Sequence, residues 1–317
     1  MGPAQRAGRP ASLTVPTPLE TAPETLSGGR QLYLKREDLH ELGAFKWRGA
    51  LPALTEYRAS GHDTVVTAST GNHGAAAAWA AGRLGLRAIV YAPAGATRAK
   101  LQLIESLGAE LRVAGETFDA AKEEAAAFAE HDELPLFVDG AERAQYDGYG
   151  AIGSEILDQL TTPPAAIVVP VGNGALLGGI GTEILERSPA TARVGVQSAG
   201  APVMVESWRA GKAVECASAE TFADGLAARV AVPLAVDVLQ RVASQMLLVS
   251  ERQIARAVGA FAAAGIRVEG SAAAGLAALA QLEEQDGPVV VVVTGCNIDD
   301  ELWRRACDEP ESFPGED

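Results

Sequence analysis

Short β-branched runs alternate with alanine-rich helical stretches along most of this chain, and no other feature narrows its fold as far. The β-type runs fall at residues 64–67, 88–91, 110–113 and 136–138, with helical stretches at 74–84, 97–107 and 117–130. The alternation resumes with a run at 166–171, a helix at 176–187 and a run at 194–197. It closes with a run at 246–249, a helix at 251–264 and a run at 289–294. Parallel strands need a crossover between them, so this order predicts parallel sheet covered by helices on both faces. Val289–Val293 is valine throughout, without the polar alternation of a half-exposed strand, as burial on both sides requires. The α/β class follows. The segment through Gly29 is rich in proline, threonine and glycine and predicts an extended arm with a disordered beginning. Residues 301–317 are charged and proline-containing, so the last of them are expected to be loosely held. No internal repeat is evident, and no appended regulatory domain is expected.

Bulk properties remove several classes of function. A chain of 317 residues can bury a large core. Its formal charge of −15 and pI near 4.8 argue against nucleic acid or an anionic membrane as partner. An anionic ligand would need a local positive field made by backbone amides. Cys216, Cys296 and Cys307 lack CxxC spacing, and no histidines form an HxxxH pair, so neither a disulfide framework nor a metal site is expected. The longest apolar runs are cut by glycine, proline or charge, and the start lacks a signal-peptide pattern. Cytoplasmic location is the expectation.

The residues that carry chemistry lie in four places. Lys46 stands between bulky Phe45 and Trp47, with Gly43 and Ala44 leaving space beside the backbone, just before what reads as a helix. A desolvated amine is both nucleophile and base. Ser69, Thr70, Gly71, Asn72, His73 and Gly74 follow a β-type run and open a helix, where exposed amides bind carboxylate or phosphate. A helix start capped by Ser69 or Asn72 explains that segment equally well. His73 suits a structural hydrogen bond better than catalysis.

Gly172, Asn173, Gly174, Ala175 and Leu176 follow an apolar run and open another helix, the setting in which small residues and successive amides cradle a phosphate. A dinucleotide fingerprint is disfavoured: Leu177 occupies the third glycine position, and the motif falls halfway along the chain rather than at a first βα unit. Thr294 ends the most apolar run, at the end of a parallel strand where ligands bind. Lys46 with these three loops, in this order, suggests an amine held as a Schiff base to a phosphorylated aldehyde.

Taken together, these residues resemble the fold type II (tryptophan synthase beta-like) pyridoxal-phosphate enzymes, and within them the threonine/serine dehydratase and serine racemase family. The resemblance runs from about residue 34 to residue 300. It takes in Leu34-Lys35-Arg36-Glu37-Asp38, Thr221-Phe222-Ala223-Asp224-Gly225-Leu226-Ala227, Leu247-Leu248-Val249-Ser250-Glu251 and Val268-Glu269-Gly270-Ser271-Ala272. It implies two three-layer α/β domains with parallel-rich open sheets and the active site in the cleft between them. The large cofactor-binding domain would comprise residues 1–64 and 146–317, and a small mobile domain residues 65–145. The cofactor implied is pyridoxal 5'-phosphate. Lys46 would be its Schiff-base lysine, with Phe45 beside it, Asn72 at its ring hydroxyl, Thr294 at its ring nitrogen, and Gly172 to Leu176 around its phosphate. Ser69, Thr70, Gly71, Asn72 and His73 would hold the substrate carboxylate, with Lys46, Ser69 and Thr70 as the catalytic groups.

The function implied is β-elimination on a small β-hydroxy amino acid, giving a 2-oxo acid and ammonia, in a homodimer. β- or γ-replacement, as in threonine or cysteine synthases, and racemisation remain open alternatives, and a non-catalytic cofactor-binding protein is disfavoured. Asn173 stands where the family often has glycine, and Thr70 where racemases use serine. Gln197 and Val203 replace the carboxylates through which many relatives bind a divalent cation, so no metal site is expected. Tyr149 stands where many relatives have glutamine, which predicts an altered side-chain pocket.

Overall fold

The structure is a computed structural model that describes residues 16–96, 98–283 and 286–315. Its first part runs β1 (Leu19–Thr21), α1 (Glu24–Ser27), β2 (Leu32–Arg36), α2 (Trp47–Ala59), β3 (Thr64–Ala68) and α3 (Asn72–Leu84). It continues with β4 (Arg87–Ala92), α4 (Arg98–Ser106), β5 (Glu110–Val113), α5 (Phe118–His131), α6 (Arg143–Gln159) and β6 (Ala166–Pro170). Next come α7 (Ala175–Arg187), β7 (Ala192–Ser198), α8 (Val203–Ala210), α9 (Pro233–Val242), β8 (Gln245–Val249) and α10 (Glu251–Ala263). The last elements are α11 (Gly270–Ala277), β9 (Val289–Val293) and α12 (Asp300–Asp308).

The strands form two sheets. Six strands lie in the order β1-β2-β9-β6-β7-β8, and three in the order β3-β4-β5. Every pairing is parallel except that of β1 with β2. Alternation of side chains across a strand explains the layering. Val289, Val291 and Val293 pack with Ala166, Val168 and residues of α10 and α11 on one face of the large sheet. Val290 and Val292 pack with Ile167, Val169 and residues of α6, α7 and α9 on the other. The small sheet is layered likewise, with Val65 and Ala88 facing α2 and α3, and Val66 and Ile89 facing α5. Both are three-layer α/β sandwiches with parallel-rich open sheets.

Three expectations need correction. The run at 136–138 makes only an isolated parallel bridge, Leu136 to Val66, because the chain turns at once into the segment that bears Asp139. In the N-terminal segment β1 lies on the body, paired antiparallel with β2 as an extended arm would, but α1 is a helix rather than extended chain, and the expected disordered beginning lies outside the described residues. The charged C-terminal stretch folds as α12, and Phe313 beyond it is buried against Phe222 with ring centroids 4.5 Å apart. Residues 316 and 317 and the helix start at 97 lie outside the described residues. No helix among the described residues is long and apolar enough to cross a membrane.

Candidate active site

The C-terminal ends of β3, β6 and β9 converge with the N-terminal ends of α2, α3 and α7, and Lys46, residues 69–73, residues 172–176 and Thr294 lie there. Gly43, Ala44 and Phe45 form a clasp with the end of β9. The Cys296 amide donates to Gly43 O at 2.9 Å, the Phe45 amide to Thr294 O at 3.1 Å, and Ala44 bridges Gly295. Lys46 follows as the residue that opens α2, and its amine lies 5.0 Å from the Phe45 ring centroid. Trp47 turns away, stacking on His40 at 4.5 Å and packing beside Trp79. One aromatic neighbour, not two, therefore lines the amine.

The expected apolar surroundings of Lys46 are in fact an ion pair. Its Nζ lies 2.5 Å from Asp139 Oδ2, with the lysine side chain 17% and the aspartate 29% exposed, so both face an accessible cleft. Asp139 Oδ1 accepts from Gln145 Nε2 at 3.4 Å and lies 3.6 Å from His73 Nδ1. Burial works to raise the Asp139 pKa, but the charge of Lys46, His73 and hydrogen bonds from Lys46 and Asn173 lower it to about 2. His73 is driven toward its neutral form, mainly by burial, with Asp139 opposing and Lys46 adding to the shift. Its Nε2 lies 3.0 Å from Thr67 Oγ1 and 3.3 Å from Phe137 O, the structural role expected of it.

Three site groups, Lys46, His73 and Asn173, thus meet on Asp139, which the sequence reading missed. Its one available signal was an acidic residue directly after a β-type run, in Val138-Asp139-Gly140.

The two loops present amides. At α3 the N-cap is Gly71, with no side-chain cap, and the Gly71 amide donates to Ser69 Oγ at 3.1 Å. Neither Ser69 nor Asn72 caps the helix, so its first-turn amides are left to a ligand or to solvent. At α7 the Ala175 amide donates to Asn173 Oδ1 at 3.0 Å, while the first intrahelical bond runs from the Gly178 amide to Gly174 O at 2.9 Å. Gly174 has φ +93°, and a Cβ on Gly172 would lie 2.2 Å from Gly225 O. Both glycines are therefore required by backbone shape and close approach.

Asn72 lies between two partners that the sequence reading did not place. It donates to Glu269 Oε2 at 3.1 Å and accepts from Asn297 Nδ2 at 2.8 Å. Thr294 is 3% exposed, and its hydroxyl has no hydrogen-bond partner among the described residues. Thr70 is half-buried in the same cleft. Tyr149 is 1% exposed, with its ring 5.2 Å from that of Phe45 and pressed against Gly49. It fills the space behind Phe45 rather than facing an open pocket. Gln197 is fully buried and accepts the Met204 and Val205 amides at 3.0 and 3.1 Å, serving the start of α8.

An accessible lysine amine, a small-residue amide cradle and a buried hydroxyl without a partner among the described residues suit a phosphorylated aldehyde with a ring nitrogen. That set, on an open parallel sheet, defines a cofactor-dependent α/β enzyme. The family model described as "Pyridoxal-phosphate dependent enzyme" matches residues 11–295. L-threonine ammonia-lyase of Thermotoga maritima is 34% identical over 86% of this chain and 68% of its own length. The enzyme of the same name from Geobacter sulfurreducens is 36% identical with the same coverage. Among solved structures, the processed form of threonine deaminase isoform 2 from Solanum lycopersicum is 30% identical, with a TM-score of 0.89 over 94% of this chain and 89% of that one. Maize serine racemase is 25% identical with a TM-score of 0.85, covering 94% and 93%.

The chain belongs to the fold type II pyridoxal-phosphate-dependent enzymes, in the threonine/serine dehydratase family. It is a lyase with pyridoxal 5'-phosphate as cofactor.

Proposed function

We propose that this enzyme eliminates water from a small β-hydroxy amino acid, L-threonine or L-serine, at Lys46. The observation that carries the reading is the convergence of a reactive amine, first-turn amides of two helices and an unpartnered threonine hydroxyl at one set of strand ends. The cofactor, when bound, supplies an electron sink next to the substrate Cα. Gly172, Asn173, Gly174, Ala175 and Leu176 would hold its phosphate, Thr294 would serve its ring nitrogen, and Asn72 its ring hydroxyl. Thr294 is neutral and cannot fully protonate that nitrogen.

The amides from Gly71 to His73, with Ser69 and Thr70, hold the substrate carboxylate. This fixes the Cα–H bond toward Lys46, which takes the proton. The Cβ–O bond then breaks. Ser69 Oγ already accepts the Gly71 amide, so its own proton is free for the departing oxygen. Water lost here is regained on hydrolysis, leaving a 2-oxo acid and ammonia.

Residues 65–145 act as the small mobile domain against residues 1–64 and 146–317, and their closure excludes water from the reaction. The same reading carries a cytoplasmic homodimer, and sedimentation velocity tests the dimer. The deciding assay measures 2-oxo acid and ammonia from L-threonine, L-serine and bulkier β-hydroxy amino acids. Turnover on none of them rejects the reading. A second reading, racemisation, draws on the likeness to maize serine racemase and on the hydroxyl of Thr70. Solvent deuterium entering Cα without 2-oxo acid would favour it.

A further inference from the structure

Lys46 and Asp139 are 93 residues apart in sequence, yet Lys46 Nζ and Asp139 Oδ2 lie 2.5 Å apart. We propose that Asp139 is the counter-ion of the Lys46 nitrogen, a positioning residue that keeps this nitrogen in place and stabilises its positively charged forms as it takes up and releases the cofactor. The proposal rests on Lys46 being the cofactor lysine.

The carboxylate is prepositioned for this role. Its Oδ2 is turned to Lys46, while Oδ1 is turned to Gln145 on α6 and His73 on α3. Asn173 of the phosphate loop binds the carboxylate as well, and a Cβ on Gly140 would meet the Asn173 amide at 2.9 Å. Three separate parts of the fold therefore hold a short side chain. Its other titratable neighbours carry no competing charge. His73 is held toward neutrality, and the Tyr146 and Tyr149 phenols on α6 are both pushed upward, by burial first and by Asp139 next. The Lys46 nitrogen supplies the opposing charge.

This arrangement has a consequence for each state of the lysine. Joined to the aldehyde carbon, a nitrogen that keeps its proton would make that carbon the better electrophile for an incoming amine, and a fixed carboxylate favours the protonated form. Released by the substrate, Lys46 remains within hydrogen-bond reach of Asp139 and so stays beside Cα. Once it has taken the Cα proton, its new charge is neutralised by the partner it had at rest.

The test is a pH titration of the visible absorbance of the enzyme loaded with pyridoxal phosphate, in the wild type and in Asp139→Asn. In the variant, the long-wavelength form that keeps its proton should give way to the short-wavelength form at a pH lower by about 1–3 units, the shift an opposite charge at this range produces. A purely structural role for Asp139 would not move that transition. Asp139→Ala offers a second measurement, because added formate should enter the vacated space and restore the wild-type transition. An unchanged transition in a folded Asp139→Asn enzyme overturns the proposal, as does an Asp139→Ala enzyme that formate leaves unaltered. A wild type that shows no lysine-linked band at all, nor any trapping of cofactor on Lys46 by borohydride, overturns instead the assignment of Lys46 beneath it.

Discussion

The Phe45 amide donates to the Thr294 carbonyl at 3.1 Å, so the residue before Lys46 is joined to the residue that follows the central strand. With the Cys296 amide bonded to Gly43 O and the bridge between Ala44 and Gly295, this forms a short antiparallel clasp. The relative position of Lys46 and Thr294 is consequently set by main-chain geometry. Side-chain rotamers decide only the last few ångströms.

Thr294→Val separates stability from cofactor binding. The hydroxyl is buried without a partner among the described residues, so replacing it with a methyl of similar shape should leave the melting temperature of the cofactor-free chain unchanged or raise it. Losing a contact of about 1 kcal/mol to the ring nitrogen should weaken cofactor binding by roughly fivefold. Equilibrium dialysis and thermal scans read the two effects. A large fall in melting temperature with unchanged cofactor affinity would show that the hydroxyl serves the fold.

Gly172→Ala tests the cradle. The added Cβ would fall 2.2 Å from Gly225 O, a backbone atom that moves only with its whole loop. The expected cost is about 1–3 kcal/mol of stability, as for overpacking elsewhere in protein cores. Cofactor retention on gel filtration should fall too, because the loop shifts. Wild-type stability and retention together would mean that Gly172 is not confined as described.

Beneath the site lies a buried charge cluster, and Glu155→Gln probes it. Lys35 Nζ lies 2.7 Å from Glu155 Oε2 and Arg48 Nη1 2.6 Å from Glu155 Oε1, while Arg48 Nε lies 2.7 Å from Glu37 Oε2. Lys35 is fully buried, so removing the Glu155 charge leaves a cation undercompensated. Urea unfolding should show a loss of about 3 kcal/mol. Because α2 carries both Lys46 and Arg48, turnover should fall with it. A loss under about 0.5 kcal/mol would place the pair among weak surface bridges instead.

Acid should weaken the fold in a defined order. Burial drives the His40 pKa down to about 4, with Arg48 and Arg83 assisting and Glu41 opposing. Its ring stacks on Trp47, and its Nδ1 accepts the Leu42 amide at 3.2 Å, which requires that nitrogen unprotonated. The unfolded chain takes up this proton first, so stability falls as pH drops from the ordinary histidine value of 6.5 toward about 4. Asp139 and Glu155, both held below their ordinary values, lose their contributions further toward acid. Thermal scans across this range should show a shallower decline in His40→Phe than in the wild type. Parallel slopes would remove His40 from the account.

Much of the architecture was legible because it is written in periodicity. The buried valines of β9 and the alanine-rich face of α3 carry their own signal, whatever they contact. β2 was harder to read because Lys35 and Arg36 are buried in it. Their charges are met by Thr17 O, Glu155 and Gln159, and by Asp38 and Glu20, partners that no local pattern reveals. The run at 136–138 erred in the opposite direction, since β propensity there was overridden by the turn toward Asp139.

By itself, the sequence determined the α/β alternation and the two glycine-bearing helix starts and singled out Lys46, because those features depend on local backbone geometry and residue type. Only the tertiary structure decided what stands opposite Lys46. Asp139, Glu269 and Asn297 reach the site from distant segments, and folding alone brings an aspartate 93 residues away within 2.5 Å of the amine. At that range the field of one carboxylate acts strongly on the nitrogen, and spacing along the chain holds no record of it.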